Sequence, residues 1–155
     1  MAITIRVYKR RLPDGTLEDE VSYNGAMTNP AYFSVAVVPA SGVNYAPDEY
    51  GITLYVKITS DAGEKALDLK VKAEPVSPGN PPLSILNGFE AFSPISDTSG
   101  EWLPCYERFV TVSVPGRQIS SGDVIPVKLR VGAHPGDAIG TYQVLLHFIV
   151  YNIGS

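Results

Sequence analysis

Histidine, aspartate and serine side chains are the residues of this chain that could support nucleophilic catalysis. Its two histidines are His134 and His147, and Asp137 closely follows the first. A hydrolase triad also needs a nucleophile on a strained turn, and the sequence has no Gly-x-Ser-x-Gly motif to supply one. His147 alternates with Leu145 and Ile149, which favours a histidine packed at a sheet face. We therefore predict that the protein is not an enzyme.

The sequence offers few ligands for a metal or a phosphate group. The two histidines lack the His-x-His or His-x-x-x-His spacing of zinc sites, and Cys105 is the single cysteine, which excludes cysteine clusters and an intramolecular disulfide. Asp48 and Glu49, like Asp61 and Glu64, do not alternate as the oxygen ligands of a calcium loop do. With no glycine-rich phosphate loop either, we predict no cofactor and no metal.

Aromatic side chains fit binding better than catalysis. Tyr45 and Tyr50 lie in one predicted loop, and Trp102 and Tyr106 lie in another. Together these four side chains are candidates for a platform that stacks on a sugar or anchors a protein. The alternative is that they cap the core of the domain from its loops.

The strands that must position these groups are clearest at the C-terminal end, in residues 124–152. Apolar residues at 125, 127, 129 and 131 alternate with polar ones, which predicts a half-buried strand. Residues 141–151 are apolar with few interruptions, as expected of a central strand. Its second face carries apolar side chains that also need cover. We predict an interface there, formed by Leu145, His147, Ile149 and Tyr151.

The connection between these two strands carries a resemblance to a known fold. Asp137, Gly140 and Tyr142 lie in an Asp-Ala-Ile-Gly-Thr-Tyr sequence just ahead of the long strand. This resembles the structural corner of immunoglobulin-like sandwiches, where a tyrosine near a strand start bonds to backbone upstream. The same closing pattern is similar to that of many viral and bacterial surface modules. The resemblance implies an antiparallel, all-β, immunoglobulin-like sandwich.

The N-terminal residues 1–24 predict a β-hairpin or arm. Ile3, Ile5 and Val7 alternate with polar residues, and a Pro-Asp-Gly turn follows. The basic residues 9–11 of the first arm are expected to face the acidic residues 18–20 of the second. Such pairs either stabilise a solvated hairpin or belong to an arm that docks on a partner.

The middle of the chain predicts further strands at 32–38, 52–59, 67–72 and 109–114, the second and third of them as a hairpin. Residues 74–82 are proline-rich and are expected to cross from one sheet to the other. Residues 83–92 predict a short strand or one helical turn, and residues 93–106 predict irregular structure. Together these segments predict a single domain, residues 1–155, of eight or nine strands.

Composition excludes several partners. The net charge is −4, the pI is about 5.1 and the basic residues are dispersed, which argues against nucleic-acid binding. No segment approaches the roughly 20 apolar residues of a membrane span, and the N-terminal residues lack the apolar run of a signal peptide. We therefore expect neither a nucleic-acid nor a membrane partner, and synthesis in a cytoplasm.

These features favour a structural protein of a virion, assembled in the host cytoplasm. The chain resembles capsid decoration proteins in size and composition, which implies a homo-oligomer, with a trimer favoured, bound to a capsid or other structural protein. One alternative is a prokaryotic pilus or cell-surface module located outside the cell. A second alternative is a carbohydrate-binding module that uses the four loop aromatics.

Overall fold

The structure is a computed structural model that describes residues 3–20, 30–37, 43–46, 50–61, 64–137 and 140–154. These residues form one short helix, α1 (Leu83–Leu86), and eleven strands. The strands are β1 (Ile3–Arg11), β2 (Leu17–Glu20), β3 (Pro30–Val37), β4 (Asn44–Ala46), β5 (Ile52–Ser60), β6 (Lys65–Pro75), β7 (Phe89–Pro94), β8 (Gly100–Pro104), β9 (Val110–Thr111), β10 (Val124–Ala133) and β11 (Gly140–Gly154).

The strands form two antiparallel sheets. Sheet A has the order β2-β1-β5-β10-β7-β8, with β4 also paired to β10, and sheet B has the order β3-β11-β6-β9. One apolar cluster draws side chains from both sheets, among them Ile5, Leu54 and Leu129 of sheet A and Leu69 and Phe148 of sheet B. The structure therefore confirms the predicted all-β, antiparallel sandwich.

Strand β11 is central in sheet B, between β3 and β6. Val144, Leu146, Phe148 and Val150 are buried, and the intervening residues face outwards. This alternation confirms the predicted central strand, because one face of β11 supplies the core and both of its edges are paired.

One predicted strand pairing is wrong. Strands β5 and β6, expected as a hairpin, lie in different sheets. Strands β10 and β11 of the C-terminal segment 124–152 also lie in different sheets. Each connection crosses from one layer to the other. Alternation identifies the buried face of each strand but is the same whether two successive strands pair or face each other across the core. The proline-rich segment after β6 also changes sheets, as predicted, because β6 lies in sheet B and β7 in sheet A.

Local details also differ from the sequence-based expectations. Residues 93–106, expected to be irregular, contribute to the β7–β8 hairpin, and the strand expected at 109–114 is only Val110–Thr111. In β6, Ala66 and Leu69 are buried while Leu67 is half-buried. Asp68 between them has a φ of 52°, which breaks the alternation expected of Leu67, Leu69 and Val71.

The N-terminal hairpin has the predicted form. Strand β1 pairs with β2, and the Asp14 carboxylate accepts a hydrogen bond from Thr16 N at 2.9 Å in the turn. Arg10 contacts Glu18 at 2.9 Å, and the basic partner of Glu20 is Arg6, at 3.3 Å. Predictions for residues 21–24, Val38, Asp48 and Glu49 fall outside the described residues.

Within the described ranges, α1 is too short to span a bilayer, and no helix there has the length and hydropathy of a membrane span.

Candidate functional site

The outer face of sheet A carries a row of aromatic and basic side chains. In β10, Val127, Leu129 and Val131 point into the core, so Lys128 and Arg130 point outwards. Neighbouring strands place aromatic rings beside these two cations. We call this row the aromatic ladder; its members are Tyr45, Arg130, Trp102, Phe92 and Lys128.

Arg130 lies between two rings. Its guanidinium carbon is 3.7 Å from the centre of the Tyr45 ring and 4.2 Å from the centre of the Trp102 ring. Its Nε donates to Glu90 Oε1 at 2.9 Å, and the arginine side chain is only 12% exposed. A planar guanidinium suits this site because it stacks on aromatic faces while its edge donates to a carboxylate.

The ladder continues towards the start of β10. The Phe92 and Trp102 rings meet edge to face at 5.4 Å, and the Lys128 ammonium lies 5.7 Å from the centre of the Phe92 ring. At the other end, Gly132 leaves room for Tyr45, since a Cβ there would lie 3.3 Å from the tyrosine Cε1. The aromatic ladder therefore depends on five large side chains and on the small residue Gly132 at its end.

Of the four aromatics predicted as a platform, Tyr45 and Trp102 contact the same arginine. Tyr45 and Trp102 join through Arg130, whose guanidinium occupies the ring faces between them. Tyr50 is 70% exposed, whereas Tyr106 packs against the core and forms a bridge with Ala73 of sheet B. Arg130 was not predicted as a site residue. Its outward position in β10 was readable from alternation, but its pairing with Glu90 was not.

A cleft of about 520 Å³ opens beside the ladder. One wall is the β7–β8 hairpin, the other is the start of β10, and residues 112–114 and 117–119 line it as well. Phe92 and Lys128 belong to both the ladder and the cleft. The two features therefore form one continuous surface at this edge of the sandwich.

The cleft exists because β7 and β10 separate. They pair at Leu129 with Ala91 and at Arg130 with Glu90. The Gly132 N to Gly88 O bond shows that even-numbered residues of β10 direct their backbone groups towards β7. The same register would next oppose Lys128 to Phe92 and then Pro126 to Pro94. Neither proline has an N–H, so the hydrogen-bonded pairing of β7 with β10 ends and the two strands separate.

An ion pair lies at the rim of the cleft. Arg117 donates to both oxygens of Asp97, at 2.6 and 3.2 Å, and so links the β7–β8 turn to the segment before β10. The hydrogen bonds and the charge of this guanidinium lower the pKa of the Asp97 carboxyl. Both side chains are exposed, so solvent screens the pair and the contact orients the rim more than it stabilises the fold.

The predicted interface residues lie together on the outer face of sheet B. Leu145, His147 and Ile149 are half-buried there, whereas Tyr151 is 53% exposed. Lys70 contacts Tyr151 twice, with its ammonium 3.3 Å from the hydroxyl and 5.0 Å from the ring centre. These β6 neighbours were not predicted, because β6 was expected to pair with β5 and instead lies next to β11.

His147 belongs to a small polar cluster on this face. Its Nε2 lies 3.2 Å from Glu74 Oε2, and the Lys72 ammonium lies 2.8 Å from Glu74 Oε1. The hydrogen bond from Lys72 is the largest factor that lowers the pKa of the Glu74 carboxyl, and the nearby His147 adds to it. The group lies on an open sheet face.

The predicted corner is described in part. Asp137 N donates to His134 O at 3.0 Å, and the Asp137 carboxylate accepts from His134 N at 2.8 Å, which closes a turn around Gly136. Gly140 begins β11, and Tyr142 is half-buried against the core. The role of the tyrosine hydroxyl in the corner stays a prediction.

The remaining chemically distinctive side chain is Cys105, which is fully buried. Its backbone N donates to Phe89 O of sheet A at 3.1 Å, and its carbonyl accepts from Ala73 N of sheet B at 2.8 Å. Burial, with a smaller contribution from the Glu90 carboxylate, raises the pKa of the thiol to about 12. In the described ranges, no three His, Cys, Asp or Glu side chains cluster as metal ligands would.

Comparison of the chain with family models, with curated proteins and with solved structures finds no match.

Proposed function

We propose that this chain is a non-catalytic structural protein of a virion, a capsid decoration or accessory protein that stabilises an assembly through protein–protein contacts. The observation that carries the proposal is the outer face of sheet B. There the longest strand presents Leu145, Ile149, Tyr151 and Ile153, the last two about half exposed at 53% and 49%. A row of this kind on one sheet face is typical of a surface covered by another subunit.

The chemistry of this face fits a second copy of the chain. Exposed aromatic and aliphatic groups supply apolar contact, and the face carries both signs of charge in Lys70, Lys72 and Glu74. Around a symmetry axis, the lysines of one copy can meet Glu74 of a neighbour. We expect a closed homo-oligomer, with a trimer favoured, that then docks on a capsid or another structural protein.

The fold is also suited to assembly in a cytoplasm. The sequence has a single cysteine, and that residue is buried in the apolar core, so the sandwich needs no oxidising compartment to fold. Each specific contact of about 1,600 Å² would then add stability to the shell without chemistry.

Light scattering coupled to size exclusion, over a wide range of protein concentration, tests this proposal. We expect a discrete oligomer in the wild type. Tyr151→Lys should raise the concentration needed for assembly about tenfold or more, because it adds charge to the centre of the contact. Tyr50→Lys is the matched control, since this tyrosine is exposed next to sheet A.

Two results would contradict the proposal. One is a monomer at every concentration in the presence and absence of crowding agents. The other is an equal effect of the two tyrosine substitutions, which would locate the contact away from the outer face of sheet B.

A further inference from the structure

The cleft between β7 and β10 has the size and charge balance of a site for a small neutral ligand. Its volume of about 520 Å³ lies within the range of pockets that hold such molecules. Arg117 and Lys128 line it together with Asp97 and Asp123, two cations and two anions. The formal charges cancel, so the cleft favours neither an anion nor a cation over an uncharged ligand.

The polar groups of the cleft both donate and accept hydrogen bonds. Three hydroxyl side chains at the β7–β8 turn, Ser96, Thr98 and Ser99, line the cleft with the Gln118 amide. Ser96 and Ser99 are already in contact, Oγ to Oγ at 2.8 Å, which fixes their positions. A ligand with several hydroxyl groups could satisfy such a mixed set, since each hydroxyl both donates and accepts.

The apolar part of the cleft consists of flat surfaces. Phe92, Pro94 and Pro126 line it on the two separating strands. The edge-to-face contact with Trp102 and the Lys128 ammonium hold the Phe92 ring in place. A pyranose ring has polar edges and an apolar face of C–H groups, so it can pack on a ring or a proline while its hydroxyls bond to the rim.

An extended peptide fits this cleft less well. Strand addition needs alternating donors and acceptors along an open edge. Pro94 and Pro126 remove the N–H groups at the two facing positions, and prolines at such positions prevent pairing with another strand. At these two positions the separated strands therefore offer carbonyl acceptors without N–H donors, which suits the hydroxyl donors of a sugar.

We propose that this cleft, beside the aromatic ladder, is a binding site for a neutral saccharide of one or two sugar units. Arg117 gives two N–H groups to Asp97 and has three more to donate to a sugar at the rim, and Phe92 supplies the stacking surface. The site is separate from the outer face of sheet B, so it adds to the proposed assembly role and does not depend on it.

Saturation-transfer NMR and calorimetry with named disaccharides test the proposal, after a glycan array selects additional probes. The starting panel is lactose, maltose, cellobiose and N,N′-diacetylchitobiose. We expect one-to-one binding of at least one probe. Arg117→Ala should weaken that binding about tenfold to a hundredfold, because it removes hydrogen bonds from a charged donor. Phe92→Leu should also weaken it, through loss of the ring.

Arg11→Ala is the matched control, since this exposed arginine lies on the N-terminal hairpin. It should leave the affinity unchanged, and circular dichroism should show that all three variants keep the wild-type fold. Wild-type affinity in both cleft variants would place the ligand elsewhere and overturn the proposal. Absence of binding across the panel and the array would also overturn it, as would a selected peptide that occupies the cleft in preference to every sugar.

The two proposals fail independently. If the cleft variants lose sugar binding and keep the oligomer mass of the wild type, the binding site is separate from the assembly surface. If Tyr151→Lys loses assembly and keeps sugar binding, the outer face of sheet B is needed for assembly and not for the sugar.

Discussion

Pro94 and Pro126 occupy the facing positions at which β7 and β10 would form a further hydrogen-bonded pair. The register set by the pairing of Leu129 with Ala91 leads directly to this opposition. Two residues without an N–H cannot exchange hydrogen bonds, so the sheet opens there and leaves the cleft. A single pair of prolines thus accounts for a cleft in the interior of the sheet.

Replacing both prolines should let β7 and β10 pair further and so close the cleft between them. In Pro94→Thr/Pro126→Thr, each position regains an amide, and the two new bonds should appear as slowed hydrogen exchange at positions 94 and 126. The free energy of unfolding should change by no more than about 1 kcal/mol, since the gain from hydrogen bonds opposes the greater flexibility of the unfolded chain. Fast exchange at both positions would show that another feature separates the strands.

The Arg130 sandwich should matter for stability. Arg130→Ala removes two stacking contacts and leaves the half-buried Glu90 without this donor, so we expect a loss of about 2 kcal/mol or more in the free energy of unfolding. Arg130→Lys keeps the charge but not the planar stack, and should cost about 1 kcal/mol. Urea unfolding measures both, and the fluorescence of the single tryptophan, Trp102, reports the local change.

Arg11→Ala again serves as the control, and should stay within about 0.5 kcal/mol of the wild type. If Arg130→Ala were as mild as this surface substitution, the sandwich would be an incidental contact. If Arg130→Lys matched the wild type in both stability and fluorescence, the planar geometry would have no energetic role.

Sequence patterns predict the strands of this protein better than their partners. The alternation around Leu129 or Phe148 identifies which face is buried, because it depends on each strand alone. It does not reveal that β5 and β6 lie in opposite sheets, since both arrangements bury the same residues. The β7–β8 hairpin was missed because Pro94, Gly100 and Pro104 discourage a strand interpretation, although all three lie at strand ends.

The candidate sites show the same difference: the pattern within one strand predicts which residues face outwards, but not which residues of other strands lie beside them. Tyr151 and Ile149 could be assigned to an outer face from alternation in β11. The joining of Tyr45 to Trp102 depends on three strands that meet only in the folded sheet, and on Arg130 between them. The opposition of Pro94 and Pro126 likewise requires the register of β7 with β10, which no local pattern contains.

The thiol of Cys105 should be inert in the folded protein. Its pKa of about 12 leaves almost no thiolate near neutral pH, and burial blocks access. Ellman's reagent should therefore react slowly in buffer and rapidly in 6 M guanidinium chloride, with one thiol per chain. Rapid reaction in buffer would indicate that the segment between β8 and β9 opens under native conditions.

The ion pair of Glu74 should make stability depend on pH in the acid range. Its folded pKa lies below the ordinary value of 4.5, chiefly through the hydrogen bond from Lys72. A lowered folded pKa means that this contribution is fully present above the unfolded value and is lost as pH falls through the folded value. Because the side chains are partly exposed, we expect it to be about 1 kcal/mol or less.

Urea unfolding of the wild type and Glu74→Gln, at pH values from 7 to 2.5, measures this contribution. The difference in unfolding free energy should be constant above about pH 5 and should shrink below it. The same comparison in a Lys72→Met background should show a weaker pH dependence, because the main partner of the carboxylate is gone. A difference that stays constant down to pH 2.5, or one that Lys72→Met leaves unaltered, would show that the close contact of Lys72 with Glu74 does not stabilise the charged carboxylate in solution.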